Sequence, residues 1–127
     1  TWLQEAVSSY VSVLNDCAYS YANHWKNAAH LIGDADRAGE IETALQARKP
    51  EQAFEGAELA LMRYAEKLTL SPGDMVEADV AALRDAGLDD GAILEANQII
   101  CYFNYVNRSI NGLGVTTAGD IVGYYAD

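Results

Sequence analysis

The stretch Asn15-Asp16-Cys17-Ala18-Tyr19-Ser20-Tyr21-Ala22-Asn23-His24 decides how the chain reads. At about 100° per residue of helix, Ser20 lies about 60° round from Cys17, and His24 about 20° from it. A helical segment therefore puts a thiol, a hydroxyl and an imidazole on one stripe. Asn15 or Asp16 is a suitable N-cap, which places Cys17 in the first turn. There the free backbone N–H groups and the positive end of the helix dipole favour a thiolate. Two readings stand side by side. Cys17 is a small buried hydrophobe and His24 a hydrogen-bonded polar residue, or the pair carries redox or nucleophilic thiol chemistry.

Outward from this stretch the pattern is helical. Trp2 to Leu14 places Leu3, Val7, Tyr10 and Leu14 on one face and Glu5, Ser8, Ser9 and Ser12 on another. Cys17 to Ile32 forms a second helix closed by Gly33. Further helices are expected from Asp36 to Ala47, from Glu51 to Lys67 and from Ser71 to Ala86, with Ser71 as N-cap and Pro72 at the first position. Asp89 or Asp90 caps a long helix to Leu113, with an apolar stripe of Ile93, Ala96, Ile100, Phe103, Val106 and Ile110. Residues 114–127 read as a short arm on a neighbouring subunit. The fold class is all-α: one helical bundle of about six helices over residues 1–127.

Composition narrows the function classes. Half of the 127 residues are hydrophobic and two are proline. A net charge of −11 makes nucleic acid and anionic membrane surfaces poor partners. No apolar run reaches spanning length, and no signal peptide is visible. Cys17 and Cys101, eighty-four positions apart, are not a disulfide framework, and a reducing cytoplasm suits them better. Cys101, between Ile100 and Tyr102, reads as a core residue. His30 lies about 120° round the helix from His24, so the two are a poor metal clip, and no metal or cofactor is expected.

The cysteine stretch resembles the active-site helix of the carboxymuconolactone decarboxylase superfamily, in its alkylhydroperoxidase D branch. That branch carries a glutamate, a cysteine twelve residues on, a second cysteine after two more residues, and a histidine after three more. Glu5, Cys17 and His24 match the first, second and fourth positions; Ser20 stands at the second cysteine position. Ala82-Leu83-Arg84-Asp85-Ala86-Gly87-Leu88, Tyr102-Phe103-Asn104-Tyr105-Val106-Asn107-Arg108 and Gly112-Leu113-Gly114-Val115 resemble the peroxidase-related subgroup. Relatives carry additional sequence ahead of the equivalent of Thr1, so an N-terminal segment is expected to be missing here.

The resemblance implies an alkylhydroperoxidase-like antioxidant protein and a catalytic set of Glu5, Cys17, Ser20 and His24. Its substrate would be a small hydroperoxide, its partner a thiol reductant or redox protein, and its state a homo-oligomer. By the resemblance Glu5 and His24 form a proton relay, although Glu5 on its own reads as a solvated carboxylate on a polar face. A serine hydroxyl is not oxidised by hydroperoxides as a thiolate is, so the family's dithiol cycle is closed to this chain. Cys17 remains able to form a sulfenic acid or a mixed disulfide. Ser20 donates either to that thiolate or to a carbonyl one turn back. Tyr19 packs or joins the relay. Asn104, Asn107, Arg108 and Asn111 form a polar stripe that needs backbone or carboxylate partners. Two other functions remain open: a cofactor-free lactone decarboxylase-type acid–base enzyme using His24 and Glu5, and a non-catalytic binding or assembly protein.

Overall fold

The structure is a computed structural model that describes residues 1–125. Six α-helices follow one another: α1 (Trp2–Leu14), α2 (Ala18–Ile32), α3 (Ala35–Gln46), α4 (Gly56–Leu70), α5 (Glu77–Asp85) and α6 (Asp90–Leu113). Short 3₁₀ turns, Pro50–Gln52 and Pro72–Asp74, precede α4 and α5. No strand occurs among the described residues. The fold is all-α, as the helical periodicity requires.

α1 is the central element and packs against α2, α3, α4 and α6. Every residue from Ala6 to Val11, and Ser12, is buried. The sequence pattern had put Ser8, Ser9 and Ser12 on a polar outer face; the structure encloses them. They tolerate this because each hydroxyl bonds back to a carbonyl one turn earlier. Ser8 donates to Gln4 O at 2.8 Å, Ser9 to Glu5 O at 2.7 Å and Ser12 to Ser8 O at 2.8 Å. A buried hydroxyl satisfied in this way avoids a cost of about 1–3 kcal/mol. Around α1 the core gathers Val7, Tyr10, Val11, Leu14, Ile41, Leu45, Met62, Leu83 and Ile100.

Element boundaries differ from the sequence reading where side chains compete with helix. Asn15 closes α1, and Asp16 takes the left-handed conformation, with φ 50°. Cys17 N–H then reaches back to Ser12 O at 2.9 Å, the six-to-one bond of a Schellman closure. Cys17 is therefore the N-cap of α2 and lies outside its first turn, and it makes no side-chain cap bond. The helix expected from Glu51 begins instead at Gly56, whose φ of 56° suits glycine. The helix expected from Ser71 is interrupted: Met75 and Val76 are extended, and Asp79 Oδ2 accepts from Val76 N–H at 2.8 Å to start α5.

The segment after α6 lies on its own chain. Gly123 N–H donates to Asn23 Oδ1 at 2.9 Å and Tyr124 N–H to Asn27 Oδ1 at 2.6 Å. The Tyr125 ring stacks on His30 with centroids 4.4 Å apart. The expected arm onto a neighbour is, up to Tyr125, a strap along α2; Ala126 and Asp127 lie outside the described residues.

Candidate functional site

The three residues Asn15, Asp16 and Cys17 between α1 and α2 fold the helices against each other, and this brings Glu5 to His24. Glu5 Oε2 lies 2.7 Å from His24 Nδ1, across 19 residues of sequence. Both side chains are about one-quarter exposed, at 25% and 26%. The edge of the His24 ring meets Phe103 of α6, with centroids 4.5 Å apart and planes at 79°. Glu5 is thus not the freely solvated carboxylate that its own sequence context suggests. With Nδ1 held by the carboxylate, Nε2 is the nitrogen left to take or give a proton.

Ser20 is buried at 2% exposure. Its hydroxyl lies 2.9 Å from Ser12 Oγ, not on a carbonyl one turn back. Ser12 has a single proton, committed to Ser8 O, and it also accepts from Asn107 Nδ2 at 3.1 Å. Ser20 is therefore the donor of the hydroxyl pair. Asn107 is fully buried, and its Oδ1 has no hydrogen-bond partner among the described residues.

Cys17 is 1% exposed, whereas Cys101 is exposed on α6. The sequence reading had placed Cys101 in the core, and the structure puts it outside. Cys17 is enclosed because the Schellman closure tucks it under α1; Cys101 is open because it lies about 100° round α6 from the buried Ile100, away from the bundle. A cleft of about 330 Å³ reaches Cys17 between Ser12, Val13, Asp16, Ala18, Tyr21, Gln46 and Arg48. Neither Ser20 nor His24 lines it. Glu5 and His24 thus meet directly, while Cys17 opens on a different side.

Two further features of the cleft escape sequence reasoning. Asp16 and Arg48 both take left-handed backbone, with φ of 50° and 56°, and Arg48 NH2 donates to Val13 O at 3.4 Å. Non-glycine residues pay for that conformation, so the lip of the cleft is held by its surroundings. Burial pushes the Tyr21 hydroxyl up to about 12; Gln46 opposes the rise and Glu42, which accepts from Tyr21 at 3.1 Å, adds to it. Tyr21 is accordingly neutral in the wall of the cleft, its hydroxyl donating to Glu42. No sequence spacing points to Gln46 or Arg48, since both arrive from α3 and its end.

The polar stripe of α6 proves to be a clamp. Asn111 Nδ2 donates to Asn15 O at 3.0 Å and Asn104 Nδ2 to Thr69 Oγ1 at 3.0 Å. Arg108 NH1 donates to Asn104 Oδ1 at 2.7 Å. Asn107 on Ser12 and Asn111 on Asn15 pin α6 to the C-terminal end of α1, next to Cys17, while Asn104 ties α6 to α4 and Arg108 bonds within α6; among these the partners are backbone, hydroxyl and amide, with no carboxylate. Tyr19 is half-buried. A separate apolar groove of about 270 Å³ runs between α1, α4 and α6, lined by Leu3, Val7, Leu61, Leu88 and Ile99 among others, and it includes none of Glu5, Cys17, Ser20 or His24. Among the described residues no three His, Cys, Asp or Glu side chains gather as a metal site, and no helix is long and apolar enough to cross a membrane.

Comparison with known proteins reaches the fold. No family model matches the chain, and no curated protein matches it. Among solved structures, the chain is similar to an uncharacterized peroxidase-related protein from Silicibacter sp. TM1040, with a TM-score of 0.81 and 23% identity. The match covers 91% of this chain and 58% of that one, so the chain spans little more than half of its neighbour's length. At that identity the likeness establishes a shared helical fold.

Proposed function

We propose that the protein is a peroxidase-related antioxidant of the alkylhydroperoxidase type, with Glu5 and His24 as proton relay and Cys17 as its thiol. The observation that carries this reading is the direct 2.7 Å contact between Glu5 Oε2 and His24 Nδ1. A carboxylate–imidazole pair about two turns along the helix that the thiol caps is the acid–base partner that a thiol-based reduction of hydroperoxide uses. The fold shared with a protein named peroxidase-related supports the same reading.

Ser20 confines the chain to a one-thiol cycle. Once the cleft has opened toward His24, the Cys17 thiolate attacks the outer oxygen of ROOH; the O–O bond breaks, and ROH leaves with a proton supplied by the Glu5–His24 pair. Cys17 is left as a sulfenic acid. A small thiol converts it to a mixed disulfide with loss of water, and a second thiol restores Cys17 and departs as a disulfide. Two electrons from two thiols balance the two taken by the O–O bond. The reductant is a small thiol or redox protein, which suits a cytoplasmic setting. Because Cys17 is enclosed, turnover is expected to be slow and to require opening of its cleft. The protein works as a homo-oligomer.

A second reading is favoured by one observation: the cleft that reaches Cys17 excludes His24. The Glu5–His24 pair would then serve acid–base chemistry alone, of the lactone decarboxylase kind. Assays of hydroperoxide consumption by the full chain, Cys17→Ser and His24→Ala separate the two. Turnover lost with either substitution supports the peroxidase. Turnover of a lactone substrate lost only with His24→Ala supports the acid–base enzyme. No turnover of either class, with a defined ligand or partner, leaves a binding protein.

A further inference from the structure

The cleft that reaches Cys17 is built around one cation. Arg48, just past the end of α3, lines it with Asp16, Cys17, Ala18 and Gln46. Among the described residues the Arg48 guanidinium has one hydrogen bond, to Val13 O at 3.4 Å, and one ion pair, with Asp16 Oδ1 at 3.9 Å. Both are long for a charged donor, and most of the guanidinium fork is left without a partner. Asp16 is 92% exposed, so water screens much of its charge. Beside Cys17, α2 begins without a side-chain cap and with no acidic residue in its first turn. Its free N–H groups add partial positive charge at Ala18. The Cys17 thiol is 1% exposed, stands in no disulfide and makes no capping bond. A chain of net charge −11 thus turns a positive patch toward its enclosed thiol.

We propose that this cleft admits the reductant, and that the reductant is a small thiol bearing a carboxylate, which Arg48 binds. The inference rests on the thiol cycle proposed above and names the class of its second substrate. The two half-reactions make different demands on Cys17. Cleavage of the O–O bond draws a proton from the Glu5–His24 pair, which lies outside the cleft. Resolution of the sulfenic acid needs no such proton. The incoming thiol forms an S–S bond to Cys17, the S–O bond breaks, and the thiol's own proton leaves with the hydroxyl as water. The cleft therefore serves the second half-reaction from its own side. Its volume of about 330 Å³ is at the small end for ligand sites, which fits a thiol of few atoms. A guanidinium holds a carboxylate through paired N–H donors, and Gln46 offers an amide in the same cleft. Asp16 competes with the incoming carboxylate for Arg48.

Thiol–disulfide exchange tests this without any hydroperoxide. The folded full chain is treated with the symmetric disulfides of 3-mercaptopropionate, 2-mercaptoethanol and cysteamine, which are anionic, neutral and cationic. In each reaction the Cys17 thiolate takes one sulfur of the reagent and the other leaves as a thiolate. Peptide mass spectrometry follows the mixed disulfides at Cys17 and at Cys101, the exposed thiol of the same chain serving as reference. The ratio of the Cys17 rate to the Cys101 rate is expected to be at least about fivefold higher with the anionic reagent than with the neutral one, and lowest with the cationic one. Arg48→Gly should abolish the preference; glycine is at ease at a φ of 56°, so the fold is kept. Asp16→Asn removes the competing carboxylate, keeps a residue that tolerates left-handed backbone, and should raise the preference by about twofold or more. Far-UV circular dichroism establishes that each variant is folded, and Arg48→Gln stands in for the glycine variant if it is not. Equal ratios for the three reagents, a preference that survives loss of Arg48, or a Cys17 left unmodified by all three while Cys101 reacts would overturn the proposal. Because the readout is exchange and not turnover, an inactive peroxidase leaves an anion preference standing, and its absence leaves the Glu5–His24 relay untouched.

Discussion

The hydroxyls of Ser12 and Ser20 lie 2.9 Å apart in the interior, one on the central helix and one on the helix that begins at Cys17. Asn107 of α6 joins them at Ser12 Oγ. Three helices thus meet around the side chain of Ser20. The side chain at position 20 sits among polar partners and is shielded from water, and its setting is fixed by Ser12.

Ser12→Ala removes the acceptor used by both Ser20 and Asn107 and strands two buried polar groups. Urea denaturation is expected to show a loss of about 2–6 kcal/mol, at roughly 1–3 kcal/mol per stranded group. A change below about 0.5 kcal/mol would mean that water satisfies both.

Thiol labelling of the folded chain is expected to modify Cys101 first, with Cys17 slower by at least about tenfold because it is enclosed. Both should label alike in denaturant. Cys17 reacting as fast as Cys101 in the native protein would show that its cleft stands open in solution.

Stability should fall as pH rises. Tyr10 donates to Glu66 Oε2 at 2.7 Å, and burial, with Glu66 reinforcing it, raises the Tyr10 pKa well above the usual tyrosine value. A folded-state pKa above the unfolded one means stability that is fully present below about pH 10 and is lost as pH climbs through the folded value. Tyr10→Phe should remove much of this alkaline slope in thermal melts from pH 8 to 11. An unchanged slope would assign it to other groups. At the acid end, Asp79 is held below the usual carboxylate range by its bond from Lys67, helped by Val76 N–H. That contribution is present above about pH 4 and fades as pH falls further.

Glu5→Gln keeps a hydrogen-bonding side chain beside His24 but removes the carboxylate. Hydroperoxide turnover is expected to drop by about a hundredfold or more, as for loss of general acid–base assistance. Stability should move by less than about 1 kcal/mol, because the pair is partly exposed. Equal turnover by Glu5→Gln would remove Glu5 from the relay.

Much of the helical plan was readable because apolar spacing and the stop at Gly33 act locally. The α1 limits follow from the run Trp2–Leu14, and Asp89 caps α6 through its bond from Ala92 N–H at 2.8 Å. What misled was burial. Ser8, Ser9 and Ser12 look like a wet face until other helices surround α1, and no local pattern announces a central helix. Cys101 looks like a core residue because its neighbours Ile100 and Tyr102 are apolar, yet the uncovered side of α6 is apolar too. The meeting of Glu5 with His24 was legible only through family spacing, since the contact depends on how two helices fold back at Asn15 and Asp16. Arg48 and Gln46, arriving from another helix, left no mark in the motif.

The most direct test of the account is the peroxidase activity of Ser20→Cys. Cys17 and position 20 are separated by one turn at a helix start, so the variant creates a dithiol able to close a disulfide without large backbone movement. Hydroperoxide consumption with a dithiol reductant should rise at least about tenfold over the chain with serine, equivalent to about 1.4 kcal/mol of barrier. The gain should vanish when His24→Ala or Glu5→Gln is added. A Ser20→Cys chain that forms its disulfide yet reduces none of a panel of alkyl and hydrogen peroxides any faster would contradict the antioxidant reading.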